Sequence, residues 1–390
     1  MKYFEIQCRD PIVARDGRPF DSGGKMRATT WLVPSVLAGS FRTLLGKKID
    51  STFSGDLPDR LKKVSVHGFF PMAENKLYFP KPEDCIAKPN QNNKDLKKED
   101  PILLQTKPQT CHPDQGCDLP PGNLLPVMLT SEQSKADFKP AAVPEWWPAD
   151  AFENWLINEE VALNETFLRK PEEDQRTHLE VEETSGTAED GMVFTTTSLS
   201  LEALPSYGIE RKHTQVSYPI RVEAEGDLHN HCNNLDQKHP LGGERRLVHW
   251  REANQQSKLW ECPKKVSDAL TKNPKNVRLI LATPSIFKDG WKPAWLTLKD
   301  GFLQGNPPGS GVTLKLVGAS IARWKAVSGW SLAKPYGPKP TRRMVPAGSV
   351  YFFECITGNP ADLTNHWLKS VADEEQDQRD GFGLSLWGIW

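Results

Sequence analysis

The residues best suited to phosphate chemistry lie near the start of the chain. Arg15, Arg18, Lys25 and Arg27 fall in the Gly-rich stretch RDGRPFDSGGKMR, and Arg42 follows within PSVLAGSFRTLLG. Guanidinium and ammonium groups bind phosphate through charge-assisted hydrogen bonds, and glycines let backbone N–H groups approach it closely. A second basic cluster, Lys334, Lys339, Arg342 and Arg343, sits in KPYGPKPTRRM near the C-terminus. The first cluster needs a helix behind it. Pro34-Ser35 is read as its opening, with Ser35 as N-cap. Leu37, Phe41, Leu44 and Leu45 form its core stripe, and Gly39, Arg42 and Gly46 fall on the other face. That face suits a polyanion backbone. It also suits tight helix–sheet packing beside a solvated row of arginines.

Acid–base chemistry is harder to assemble. Cleavage of RNA needs a general acid and base, or a metal held by carboxylates. His67 lies in a strand pattern, His213 stands alone, and His229 and His231 lie in a turn with only Asp227 and Asp236 near. No phosphate-binding G-x-x-x-x-G-K-S/T loop is present. Seven cysteines are scattered without C-x-x-C spacing. Cys111-His112 with Cys117, and His229, His231 and Cys232, are small soft-metal clusters, but neither supplies four local ligands. No metal or cofactor is expected.

The chain has 390 residues, 37% hydrophobic and 25% charged, with net charge −1. It is long enough for two or three domains, and it lacks the bulk positive field of a nucleic-acid coat protein. No apolar run reaches membrane-span length, and MKYFEIQCRD has no signal core, so a cytoplasmic protein is expected. Lys2 to Cys8, Val64 to Pro71 and Leu77 to Pro80 read as strands. Residues 81–148 lose periodicity and read as a long irregular insertion, dispensable for folding. Ala149 to Asn164 reads as a helix. Residues 177–201 alternate on both sides of SGTAEDG, the pattern of a β-hairpin with a long polar tip. A domain boundary is placed after 226, giving 1–226 and 227–390. The 13 tryptophans suggest exposed aromatics, with Trp146-Trp147, Trp291, Trp295, Trp324 and Trp330 as candidates and core packing as the alternative.

Several of these stretches resemble one family. RDPIVARDGRPF followed by PSVLAGSFRTLLG is similar to the start of the third subunit of the Cmr complex, a repeat-associated (RAMP) protein of type III-B CRISPR effectors. The tip at Thr187, Ala188 and Gly191, followed by Val193-Phe194, resembles the RAMP thumb, here bounded by Thr184 and Met192. LGGERR at 241–246, the element ending Ser328-Gly329-Trp330, the basic loop before VPAGSVY, and the C-terminal Gly-rich loop with Gly381, Gly383 and Gly388 match as well. The resemblance is absent over 81–148.

The resemblance implies an α+β protein of two tandem ferredoxin-like (RRM-like) domains, a scaffold used by many RNA binders. It implies a thumb that inserts into guide RNA and displaces a nucleotide. It further implies a non-catalytic RNA-binding subunit that holds the 5′ tag of the CRISPR RNA, beside the large polymerase-like subunit and a backbone RAMP subunit. Arg15, Arg18, Lys25, Arg27, Ser35, Gly39, Arg42, Arg342, Arg343, Gly381 and Gly383 are the expected RNA contacts. A repeat-RNA endoribonuclease and a protein-interaction scaffold are the alternatives.

Overall fold

Alternation in the strand Lys2–Cys8 buries Phe4, Ile6 and Cys8, and this strand is the middle of the first sheet. The sheet runs Asp236–Pro240, Leu247–Glu252, Lys2–Cys8, Tyr218–Glu223, Ser65–Gly68, with every neighbouring pair antiparallel. The computed structural model describes residues 1–17, 24–26, 28–90, 100–111, 119–133, 137–208, 212–331 and 336–390, with the backbone alone at 24–25 and 189–192. The helix Pro34–Ile49 backs the first sheet. Its stripe of Leu37, Phe41, Leu44 and Leu45 is at most 1% exposed. Phe41 packs between Phe4 and Trp250, at centroid distances of 5.2 and 5.3 Å.

The helix starts differently from the expectation. Val33 is the N-cap, no side chain caps it, and Pro34 occupies the first turn. Ser35 lies inside that turn. Proline at this position lacks only an N–H that would be orphaned anyway, so the helix needs no serine cap here. Gly46 is not on an open face either, since a Cβ there would meet Phe53 and Leu61.

The second sheet runs Thr297–Lys299, Phe302–Gly305, Thr313–Ser320, Val350–Thr357, Asn276–Leu281, Ser385–Ile389. Counted in chain order, the four principal strands of each sheet stand as 4-1-3-2. They are Leu247–Glu252, Lys2–Cys8, Tyr218–Glu223 and Ser65–Gly68 in the first, and Ser385–Ile389, Asn276–Leu281, Val350–Thr357 and Thr313–Ser320 in the second. The whole is a mixed α+β fold of antiparallel sheets. The strands at 236–252 pair into the first sheet, Ile6 opposite Trp250, so the first sheet runs beyond the boundary placed at 226. Composition could not show this, because that boundary segment, the short helix Gly226–His231 and the turn after it, connects two strands of one sheet.

The described residues of 81–148 include paired strands and buried anchors, and the expectation of a dispensable loop is corrected. Short strands Cys85–Lys88 and Ile102–Gln105 pair with each other, and Trp146–Pro148 pairs with Lys76–Pro80. Asp84 and Arg278 form a fully buried ion pair at 2.7 Å, and the Trp155 indole donates to the second Asp84 oxygen at 2.9 Å. The Leu125 N–H donates to the Val317 carbonyl of the second sheet at 2.8 Å. Trp146 and Trp147 are core residues, 4% and 0% exposed. Periodicity was missing because this segment buries no continuous face of its own; its short pieces are held by single side-chain or backbone contacts.

Candidate nucleic-acid interface

Two hairpins and one loop make the surface. The first hairpin pairs Glu173–Val181 with Ala188–Leu199, slightly longer than the alternation suggests. Its turn is 182–187, so Thr184 and Thr187 sit at the tip, while Ala188 and Gly191 belong to the returning strand. At Gly191 and Met192 only the backbone is described. Glu182 organises the tip. Its carboxylate accepts from the Ser185 hydroxyl at 2.7 Å and the Thr184 hydroxyl at 3.0 Å, which holds it below the usual carboxylate range. Leu179, Val181 and Val193 are exposed on the hairpin, at 53, 51 and 55%.

The early loop is strapped to the base of this hairpin. Gly24–Lys25 runs parallel to Phe194–Thr195, and Ile12 and Leu199 exchange backbone hydrogen bonds at 2.9 and 2.8 Å. Arg15 stands opposite Ala28 in an isolated bridge. It is exposed and has no carboxylate partner among the described residues. Arg18, Arg27 and the Lys25 side chain lie outside the described residues.

The second hairpin, Lys325–Ser331 with Gly337–Met344, comes from the other half of the chain and crosses the early loop. The Gly17 N–H donates to the Ala326 carbonyl at 3.3 Å, and the Thr341 hydroxyl donates to the Gly17 carbonyl at 3.0 Å. A Cβ at Gly17 would lie 2.6 Å from the Val327 carbonyl carbon, so this crossing requires glycine. Lys325 reaches across to the Thr30 hydroxyl at 2.9 Å. A cleft of about 420 Å³ opens here, lined in part by Thr29, Thr30, Arg323, Trp324 and Lys325. On the other side a groove of about 680 Å³ is lined by Phe287, Lys288, Arg342, Arg343 and Glu374 among others. Arg343 lies over the Trp324 ring at 4.9 Å. Arg342 grips Asp377 with two hydrogen bonds of 2.8 Å and is 44% exposed. Burial raises the Asp377 carboxyl, and the Arg342 fork opposes that.

Three expected RNA contacts are used internally instead. Arg42 donates to the Val64 carbonyl at 3.1 and 2.6 Å and pairs with Asp380 at 2.5 Å; its side chain is 12% exposed. Gly381 and Gly383 are buried at positive φ, 88° and 70°. Their N–H groups donate to the carbonyls of Gln378 and Pro284 at 3.1 and 2.8 Å, leaving none for a phosphate. A Cβ at Gly381 would lie 2.7 Å from the Val66 carbonyl oxygen. The C-terminal loop therefore packs against the first sheet. Gly39 is exposed with open space around it.

The same junction holds a residue whose role the sequence did not reveal. His67 Nε2 faces the Gln378 carbonyl at 3.1 Å and Nδ1 faces Arg221 at 3.0 Å. With Nε2–H donating and Nδ1 accepting from Arg221, the ring is neutral. Burial, with Arg221 beside it, pushes its pKa down to about 3. Arg221 also donates to the Leu368 carbonyl at 3.0 Å. His213 is exposed beside Glu172 at 3.4 Å. Among the described residues no group of three or more His, Cys, Asp or Glu is placed to hold a metal. No helix among them is long and apolar enough to cross a membrane.

Comparison with known proteins adds the family. No curated protein matches the chain. Among solved structures, a chain of a type III-B Cmr-beta complex bound to cognate target RNA aligns at TM-score 0.49 and 12% identity, covering 99% of this chain and 96% of that one. A second such complex, bound to cognate target RNA and AMPPnP, aligns at TM-score 0.44 and 11% identity over 90% and 86%. A chain of a Csm3–Csm4 subcomplex of a type III-A interference complex aligns at 0.34 and 10% over 92% and 96%. These likenesses are too distant to carry an argument. The family model described as CRISPR-associated protein (Cas_Cmr3) matches residues 4–390, and the chain thus belongs to the Cmr3 family of type III-B CRISPR effector subunits.

Proposed function

We propose that the chain is a non-catalytic RNA-binding subunit of a type III-B effector, holding the repeat-derived 5′ tag of the CRISPR RNA. It would dock beside the large polymerase-like subunit and a backbone RAMP subunit. One observation carries the reading: loop 12–30, the thumb hairpin and the second hairpin, drawn from distant parts of the chain, are tied together at Gly17 and Leu199. Arg15, Arg323, Lys339 and Arg343 are exposed there without carboxylate partners among the described residues. The repeated 4-1-3-2 strand order supports two tandem ferredoxin-like halves behind it. The endoribonuclease reading is weakened by His67, which is buried, neutral and occupied by two internal partners.

The test is the RNA itself. Complexes purified with this subunit should carry RNAs sharing one 5′ end. In the complex, Arg15→Ala should lower the salt slope of binding by roughly one, as for a single lost phosphate contact. Heterogeneous 5′ ends would remove the tag reading. Site-specific cleavage of repeat RNA by the pure subunit would favour the endonuclease.

A further inference from the structure

The second hairpin carries aromatic groups that the fold does not use. Trp330 is 65% exposed, Tyr336, next to its returning strand, is 67% exposed, and Trp324, just before the hairpin, is 49% exposed. They are the most exposed aromatic side chains among the large hydrophobics of the described residues. Buried aromatics elsewhere stabilise the core, but these three stay in water, where a large ring gains nothing unless something covers it.

The charge around them indicates what covers them. The paired strands contain Lys325, Lys339, Arg342 and Arg343 and no acidic residue, in a chain whose net charge is −1. Lys339 stands opposite Gly329, next to Trp330. Arg343 already lies over the Trp324 ring at 4.9 Å. Aromatic faces beside Lys339 and Arg343, which have no carboxylate partner among the described residues, match single-stranded nucleic acid, where bases stack and phosphates are neutralised nearby. Protein interfaces are also rich in Trp, Tyr and Arg, but they are depleted of lysine, and here Lys325 and Lys339 stand on the paired strands with no acidic residue between them.

We propose that this hairpin, through Trp330, Tyr336 and the Trp324–Arg343 pair, is a stacking platform for unpaired bases of single-stranded RNA. The proposal rests on the RNA-binding reading above and assigns it a contact class: base faces, without sequence readout, distinct from the phosphate contacts of the early loop.

The full chain is tested with two fluorescent 12-nucleotide probes, oligouridylate and an abasic strand of equal length. Wild type should bind oligouridylate about fivefold or more tighter than the abasic strand, and binding should quench tryptophan fluorescence. The double variant Trp330→Ala/Tyr336→Ala should lose that preference, while Trp330→Phe should keep most of it, since phenylalanine retains a stacking face. Lys339→Ala should weaken both probes alike and reduce the salt slope by about one. A base preference that persists in the double variant overturns the proposal. So does a double variant that binds both probes normally but no longer enters the complex, because the face would then be a protein-docking surface. The 5′-end analysis of complex-bound RNA is independent of this hairpin, so a failure of the tag reading and a failure of the platform are read separately.

Discussion

Histidine 67 shows how much a neighbourhood changes a residue. In sequence it is a histidine in a strand and a possible acid or base. In the fold it is buried, it bridges Arg221 and the Gln378 carbonyl of the C-terminal segment, and burial pushes its pKa down to about 3. Its folded pKa is depressed below the unfolded value near 6.5, so the unfolded state binds more protons as pH falls through that window, and stability is lost toward acid. His239 and His366 are depressed as well and add to the same slope. Urea unfolding between pH 6.5 and 5.0 should show stability falling with pH. His67→Gln should remove one histidine's share, up to about 1.4 kcal/mol per pH unit. An identical slope in wild type and variant would show that His67 is protonated in the folded protein.

The insertion is the element whose physical character changed most. Asp84 sits on it and Arg278 on a central strand of the second sheet, both fully buried. Removing one partner leaves an uncompensated buried charge, so Asp84→Ala should cost about 3–5 kcal/mol in denaturant melts. Replacing both, Asp84→Leu with Arg278→Met, should recover most of that loss, because a buried ion pair gives little net stability over well-packed apolar groups. A double variant no better than the single one would mean the segment needs the charge pair for its own register. The hairpin of Glu173–Val181 and Ala188–Leu199 is the opposite case. Its turn is exposed and held by Glu182 to Ser185 and Thr184. Replacing 183–186 with Asn-Gly, which suits a tight hairpin turn, should leave Tm within about 2 °C, since exposed positions contribute little. RNA affinity should stay within about tenfold. Chemical probing of the assembled complex should change at one or two nucleotides beside the tag, and an unaltered pattern would mean that the tip does not touch the guide.

The two sheets are joined as one molecule by the segment 366–384. Leu368, Gln378, Asp380 and Gly381 each meet the first sheet or its helix, through Arg221, His67, Arg42 and Val66. Asp377, three residues from Asp380, holds Arg342 of the second hairpin. The short helix Glu375–Asp380 therefore links the basic hairpin to the first half. Gly381→Ala should strain this link twice: a positive φ disfavours alanine, and its Cβ would crowd the Val66 carbonyl. The expected loss is at least about 1–3 kcal/mol, measured by thermal melting. Proteolysis should become faster at the junction than within either sheet. A variant as stable as wild type would show that the loop can move away from Val66 without penalty.

Sequence alone determined the parts whose signal is local. The stripe of Leu37, Phe41, Leu44 and Leu45 has helical spacing, and the alternation around 177–201 has strand spacing, so periodicity was enough to place a helix and a hairpin. The motifs at both ends of the chain were enough to indicate the family. Tertiary structure decided everything that depends on which distant residue arrives beside which. Arg42 and Arg15 are both arginines near glycines. One meets Asp380, 338 positions away, and turns inward, while the other meets no carboxylate among the described residues and stays exposed. Gly381 and Gly383 have the composition of a phosphate loop, but their N–H groups are taken by carbonyls that only the folded chain brings near. The packing of 81–148 was invisible for the same reason: its anchors, Asp84 to Arg278 and Leu125 to Val317, are single contacts across the fold, and single contacts leave no period in a sequence.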